Sequence, residues 1–272
     1  MSDTLDIDLS SDQAAGLRRL FGTRAPQVVA FAAAGEACGR TPLLVQTAVA
    51  LAKSGQAVVI VDENDAPNNA IAAFGLEARH DLMDAIRRER PVRQVALNAA
   101  RLVRIVPAAR AARGLDPADA YAMRQLLGCL QELQRGASFV LIDCAARGGQ
   151  LSPLALAARH LAVVVAAQGA AITHAYALIK QLSQQSSRDV FQVVITRART
   201  TEEARAIFSN MRRVASEHLG VRLDFLGASM APISEHLADA LASRLPPCPE
   251  QSDIGGFAYF PPLANSPGIV MV

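Results

Sequence analysis

The sequence of 272 residues is poor in several residue types. It has no tryptophan, four cysteines and two lysines (Lys53 and Lys180), and aromatic residues make up 4% of the chain. Four widely spaced cysteines are too few for the disulfide framework of a small secreted domain. No apolar run approaches the ~18 residues that a membrane-spanning helix needs. The first residues are acidic rather than basic and apolar as in an export signal, so we expect a cytoplasmic protein.

The sequence is instead rich in apolar residues and arginine. Hydrophobic residues make up 51% of the chain, and its 27 basic and 25 acidic residues give a net charge of +2. This composition excludes a disordered or collagen-like chain and argues against stable nucleic-acid binding. From Arg79 to Arg113, nine arginines accompany three acidic residues. This basic stretch is either a solvated surface or a docking face for an acidic partner.

Short runs rich in Val, Ile and Phe alternate with longer segments of helical period. The alternation predicts an α/β fold, in which a doubly wound, mainly parallel sheet is flanked by helices. The predicted strands are Gln27 to Ala33, Ala57 to Val61, Leu102 to Val106, Ser138 to Ile142, Leu161 to Ala166, Val190 to Thr196 and Leu223 to Gly227. The predicted helices are Pro42 to Lys53, Leu82 to Arg88, Pro117 to Arg135, Ile172 to Ser186, Glu202 to His218 and Ile233 to Ala242.

These elements place a single α/β domain at residues 26–244, between two segments of different character. Residues 1–25 form an arm with a short amphipathic helix, in which Leu17 and Phe21 share one face. Gly16 weakens this helix, so we expect it to order only against a surface. Residues 245–272 contain six prolines and predict a mostly irregular tail without a strong membrane-targeting helix.

The turn after the first predicted strand is the place where a doubly wound fold ordinarily holds phosphate. Residues 34–41 read Ala-Gly-Glu-Ala-Cys-Gly-Arg-Thr. Against the P-loop pattern G-x-x-x-x-G-K-[ST], Gly39 and Thr41 match, whereas Ala34 and Arg40 replace the first glycine and the lysine. The turn therefore predicts a degenerate phosphate cradle.

Two carboxylates end predicted strands near this turn. Asp62 follows the second strand, and Asp143 ends the apolar run that begins at Phe139. The carboxyl ends of parallel strands gather at one edge of the sheet, so we expect Thr41 and Asp143 to be the magnesium ligands if nucleotide binds. The alternative is that both carboxylates cap turns and that Thr41 simply begins a helix.

Several longer motifs resemble a known family. They are Asp12 to Arg18 (DQAAGLR), Phe74 to Leu76, Leu82 to Ala85, Ala170 to Lys180 (AAITHAYALIK) and Leu219 to Gly227. Over nearly the whole chain, the sequence resembles the MinD/ParA-type deviant Walker A ATPases, in their flagellar-number regulator branch (FlhG/FleN-like). The resemblance implies a MinD-like P-loop NTPase fold that dimerises with ATP.

The resemblance also implies partners. In this branch the N-terminal element stimulates a signal-recognition-type flagellar GTPase, and the protein restrains a flagellar transcriptional regulator or contacts a switch-complex protein. The residues that correspond to this partner-binding element are Asp12, Gln13, Leu17, Arg18 and Phe21. The alternative is a helix that packs on its own domain.

The nucleotide machinery departs from the family pattern. Gly35 replaces the signature lysine, Asn64 replaces a catalytic Asp, Arg147 replaces a switch glycine, and Thr196 replaces the adenine-reading Asn. Glu36 puts a carboxylate where phosphates would lie, and at ~4 Å two unit charges repel by roughly 4 kcal/mol at an effective dielectric near 20. The positions that correspond to the nucleotide site are Gly35, Glu36, Gly39, Arg40, Thr41, Asp62, Asp143 and Thr196.

These departures predict a pseudo-ATPase that acts by binding other proteins. We expect no catalytic residue and weak or absent binding of ATP and magnesium. We also expect a monomer, because Gly35 stands in place of the lysine that bridges the family's dimer. The alternative is a functional MinD-like ATPase switch. Cys38 and Cys144 are expected to be small buried thiols near the cradle, and the histidines are assigned no chemistry.

Overall fold

A computed structural model describes residues 25–33, 35, 38–144, 150–186, 188–229, 241–243 and 245. Several sequence predictions lie outside these residues and stay predictions. They concern Glu36, Arg147, most of the helix from Ile233 to Ala242, the tail, and the partner-binding residues Asp12, Gln13, Leu17, Arg18 and Phe21.

In the described part of the chain, eight strands form one sheet in the order β3-β4-β2-β5-β1-β6-β7-β8. Every neighbouring pair is parallel except β3 and β4. The strands are β1 (Gln27–Ala32), β2 (Val58–Asp62), β3 (Leu97–Ala100), β4 (Val103–Pro107), β5 (Phe139–Asp143), β6 (His160–Ala166), β7 (Val190–Thr196) and β8 (Arg222–Ser229). The predicted doubly wound α/β fold is confirmed.

Helices cover both faces of the sheet. Those of the described ranges are α1 (Arg40–Lys53), α2 (Ala70–Ala73), α3 (Leu82–Ile86), α4 (Val92–Val95), α5 (Ala109–Gly114), α6 (Ala120–Gln134), α7 (Pro153–Ala157), α8 (Gly169–Ser186) and α9 (Thr201–Leu219). None of these helices combines the length and the apolar character needed to cross a membrane.

The core lies in two layers because side chains alternate across a strand. Val28 and Ala30 of β1 belong to the layer covered by α3 to α9, whereas Val29 and Phe31 belong to the layer covered by α1 and α2. All four side chains are fully buried. Burial of each Val or Phe contributes about 1.5–3 kcal/mol relative to exposure, so these apolar runs drive sheet formation.

Some boundaries differ from those predicted. The helix predicted from Pro117 begins at Ala120, because the Asp119 side chain caps it by accepting hydrogen bonds from two backbone N–H groups. The helix predicted to reach Arg88 ends two residues earlier, because Arg88 has a left-handed backbone with φ 61°. Strand β3 and the short helices α2, α4, α5 and α7 were not predicted, because each is too short to show a periodic pattern.

The sheet order brings the predicted site residues together. Strand β5 lies between β1 and β2, and in its register Asp143 is the neighbour of Phe31 on one side and of Asp62 on the other. The turn that follows β1 therefore lies above the two strand-end carboxylates. This edge is where doubly wound folds bind their ligands.

Candidate functional site

The second glycine of the cradle retains its backbone role. Gly39 has φ 75° and ψ 26°, a left-handed conformation that favours glycine, and it is the N-cap of α1. Its carbonyl accepts the first helical hydrogen bond, from the N–H of Leu43 at 3.0 Å. Gly35 is exposed. The turn therefore keeps a P-loop-like entry into α1 although its side chains have changed.

Arg40 and Thr41 both bind the carboxylate of Asp143. Arg40 Nε donates to Oδ1 in an ion pair, and Thr41 Oγ1 donates to Oδ2 at 2.6 Å. The Asp143 side chain is 0% exposed and that of Arg40 is 14% exposed. Burial lowers the pKa of Arg40, but the charge and the hydrogen bond of Asp143, together with the nearby Cys144 and Cys38, raise it above its usual value, so the guanidinium stays charged. A buried carboxylate is thus neutralised from within the protein.

Asn64 completes this contact. Its Nδ2 donates to Thr41 Oγ1 at 3.2 Å, and its Oδ1 accepts from the N–H of Ala66 at 3.1 Å. The second bond fixes the orientation of the amide, so an N–H group faces the threonine oxygen. Asn64, Thr41, Asp143 and Arg40 form a continuous chain of hydrogen bonds, which we call the cradle network.

Asp62 lies beside this network at the end of β2. Its carboxylate accepts from the N–H of Asn64 at 3.1 Å and from the N–H of Ile71 at 3.0 Å. Burial, together with the charge of Asp143, raises the pKa of Asp62 to about 7. Asp62 thus anchors the loop between β2 and α2 and is the titrating carboxylate of the site.

Glu63 is a site residue that sequence reasoning missed. Its side chain is buried and accepts a hydrogen bond from Ser152 Oγ, whose hydroxyl also caps α7. Because strand side chains alternate, Glu63 points to the opposite face from Asp62. Burial, followed by the charge of Glu63, raises the pKa of the Cys144 thiol well above its usual value. The position of Glu63 directly after a buried strand is the signal that identifies it.

Thr196 is also brought to the cradle. Its Oγ1 donates to the backbone carbonyl of Cys38 at 2.7 Å. This bond joins the end of β7 to the cradle turn, and a role in reading adenine stays a prediction.

The cysteine prediction is confirmed for Cys38 and Cys144, which are both buried and free. Cys38 lies in the core layer covered by α1 and Cys144 in the opposite layer. Burial raises the pKa of the Cys38 thiol. In the described ranges, no three His, Cys, Asp or Glu side chains are placed to hold a metal ion.

His160 is buried at the start of β6, where it is the neighbour of Val29 in β1. Its Nε2 lies 3.1 Å from Gln27 Oε1. Burial, then the charges of Arg159 and Arg188, lowers its pKa to about 4. His160 is therefore a neutral core histidine near pH 7.

Comparisons with known proteins agree with this geometry. No protein-family model matches the sequence. The antiactivator FleN of Pseudomonas aeruginosa is 28% identical over 219 residues, which are 80% of this chain and 78% of FleN. A chain of the MinC:MinD cell division protein complex of Aquifex aeolicus has a TM-score of 0.61 at 17% identity, covering 79% of this chain and 94% of that one. A putative plasmid partition protein of Borrelia burgdorferi bound to AMPPNP has a TM-score of 0.61 at 11% identity, covering 82% of this chain and all of that one.

The sheet order, the Gly39 turn and these structural neighbours define a P-loop NTPase fold. The similarity to FleN extends over most of both chains. The chain therefore has the fold of the MinD and plasmid-partition proteins, and its sequence is similar to that of the antiactivator FleN.

Proposed function

We propose that this protein regulates flagellar number and assembly through contacts with other proteins, as a pseudo-ATPase in the cytoplasm. Its similarity to the antiactivator FleN supports the regulatory role. The observation that supports the proposed loss of nucleotide chemistry is the cradle network, in which the side chains of Arg40, Thr41, Asp143 and Asn64 bind one another.

Thr41 illustrates the conflict with magnesium. A hydroxyl that donates to Asp143 still has lone pairs for a metal ion, so that bond alone is compatible with magnesium. Asn64 Nδ2, however, points an N–H group at the same oxygen. A cation and an amide proton repel each other, so the residues as arranged do not fit magnesium.

Arg40 presents a second conflict. To reach a phosphate, its guanidinium would leave Asp143. The fully buried Asp143 carboxylate, beside Asp62, would then lack its counter-charge. Breaking one partner out of a buried ion pair costs about 3–5 kcal/mol. Its planar fork is also bulkier than the ammonium of a P-loop lysine. These costs favour a cradle that remains closed without ligand.

The partners we propose follow from the family. The N-terminal element, which includes Gln13 and Arg18, would stimulate a signal-recognition-type flagellar GTPase. The protein would also restrain a flagellar transcriptional regulator or contact a switch-complex protein. We further propose that it is a monomer without stable nucleic-acid binding, because Gly35 replaces the lysine that bridges the family's dimer.

The test is GTP hydrolysis by the flagellar GTPase of the same organism, measured with the full chain and without ATP. We expect stimulation by the full chain, its loss on deletion of residues 2–22, and a severalfold reduction with Gln13→Ala. Thr4→Ala, in the same arm, is the matched control and should leave stimulation unchanged. Undiminished stimulation by the deletion variant would overturn the proposed partner role.

The second candidate function is a MinD-like ATPase switch. It is favoured by the convergence of Thr41, Asp62 and Asp143 at one edge of the sheet, and by the similarity in fold to a protein bound to AMPPNP. Thr41 and Asp143 would then hold magnesium once Asn64 moved away. The two candidates differ in whether the full chain binds MgATP.

A further inference from the structure

The turn between β3 and β4 contains a strained and exposed leucine. Leu102 has φ 62°, and 41% of it is exposed. The left-handed conformation is unfavourable for an L-residue, because its Cβ comes close to the following carbonyl oxygen. The backbone shape has a structural reason, because the Leu102 carbonyl accepts from the N–H of Val58 at 2.8 Å and extends the sheet. Nothing in that role requires leucine, since glycine or asparagine adopts this conformation at lower cost.

Beside Leu102 is an open cavity of about 380 Å³, which we call the hairpin cleft. Its lining includes Leu102, Arg104 and Arg135, and the described residues that line it include no carboxylate. Arg104 makes a long contact, 3.4 Å from Nη2 to the carbonyl of Leu133, and Arg135 is exposed. The exposed Arg101 precedes Leu102 in the turn. An exposed apolar side chain thus lines the same cleft as two arginines and follows a third in the sequence.

Two other arginines of the basic stretch have acidic partners. Arg110 binds Asp84 at 2.7 Å, and Arg113 binds Asp65 at 2.9 Å. The hairpin cleft differs because its guanidinium groups meet no carboxylate in its described lining. Exposed strain of this kind is concentrated at functional sites.

We propose that the hairpin cleft is a docking site for an acidic segment of a partner protein that carries an apolar side chain among its carboxylates. The carboxylates would pair with Arg104 and Arg135, and the apolar side chain would pack on Leu102. This chemistry favours a protein over a nucleic acid, because nucleic acid would use the charges and leave Leu102 without a role. The cleft lies at the amino-terminal ends of β2 and β4, whereas the cradle lies at the carboxyl ends of the strands, so docking here is separate from the cradle.

The test uses the full chain and a short fluorescein-labelled peptide in which Glu and Asp alternate with Leu. Binding is followed by fluorescence anisotropy at low and physiological salt. We expect saturable binding, weakened at least tenfold by Arg104→Gln with Arg135→Gln. The matched control is Arg87→Gln with Arg124→Gln, which removes the same charge from exposed positions elsewhere and should change binding less than twofold.

Leu102→Asn separates docking from folding. Asparagine tolerates the left-handed backbone, so this variant should melt no lower than the wild type and bind the peptide severalfold more weakly. No binding, equal weakening by both arginine pairs, or undiminished binding by Leu102→Asn would overturn the proposal. So would tighter binding of a single-stranded oligonucleotide of equal charge that is lost in the same variants.

Discussion

The Asn64 amide donates to the Thr41 hydroxyl at 3.2 Å, and this hydroxyl in turn donates to Asp143 at 2.6 Å. The Thr41 hydroxyl uses its only proton in the bond to Asp143, so its oxygen can only accept a hydrogen bond from residue 64. An ionised carboxylate at position 64 has no proton to donate, and its oxygen would repel the lone pair of the threonine oxygen. The Asn64 amide therefore provides the donor that Thr41 needs, and the cradle side chains bind one another without a ligand.

Asn64→Asp should destabilise the protein. The new carboxylate loses the bond to Thr41 and adds negative charge near Asp62 and Asp143, so we expect the free energy of unfolding to fall by about 1–3 kcal/mol at pH 8. Urea denaturation measures this change. Asn68→Asp adds the same charge at a nearby exposed position and should cost less than about 0.5 kcal/mol. Equal stability of the two variants would contradict the cradle network.

Arg40 provides the second prediction. Arg40→Met leaves the fully buried Asp143 without its counter-charge and should cost about 3–5 kcal/mol of unfolding free energy. Arg40→Lys keeps the charge and should recover at least half of that loss. Chemical denaturation of both variants measures these differences. A loss below about 1 kcal/mol for Arg40→Met, or no recovery with Arg40→Lys, would show that the ion pair does not stabilise the fold.

Asp62 should make stability fall with rising pH. Burial and the charge of Asp143 raise its pKa from 3.8 to about 7 in the folded state. Protonated Asp62 therefore contributes fully to the free energy of unfolding below about pH 4, and this contribution is lost by about pH 7. The shift corresponds to about 4 kcal/mol. Relative to wild type, Asp62→Asn should therefore gain about 4 kcal/mol of unfolding free energy between these pH values. A difference that stays constant across the range would rule out this titration.

His160 should act in the opposite direction. Its pKa falls from 6.5 to about 4 on folding, chiefly through burial. Neutral His160 therefore contributes fully to the free energy of unfolding above about pH 6.5, and this contribution is lost as the pH falls to about 4. This shift corresponds to about 3 kcal/mol. In the wild type, the effects of Asp62 and His160 on the free energy of unfolding nearly cancel between about pH 4 and pH 7. In His160→Gln the effect of Asp62 remains, so the unfolding free energy should fall as the pH rises. Parallel stability curves for wild type and His160→Gln would contradict the assignment.

The central strands and long helices could be predicted because their apolar patterns extend over enough residues to show a period. Val190–Thr196 has the predicted bounds, and Asp62 and Asp143 end adjacent strands as expected. Strand β3 was missed because Asn98 and two alanines carry little strand preference, and pairing with β4 supplies its order.

The site was harder to predict than the fold. The cradle sequence indicated which groups were altered, but not that Asn64, Thr41, Asp143 and Arg40 bind one another. Such contacts join residues distant in sequence and depend on side-chain rotamers, which no local pattern encodes. Glu63 was missed for the same reason, because its partner Ser152 lies 89 positions away.

The binding of MgATP by the full chain tests the central claim most directly. Calorimetric titration, paired with thermal unfolding at millimolar MgATP, detects binding even if its enthalpy is near zero. A closed cradle predicts no saturable heat and no rise in Tm. Saturable binding with a micromolar Kd, about −8 kcal/mol, and a magnesium-dependent rise in Tm would contradict it and support the ATPase switch.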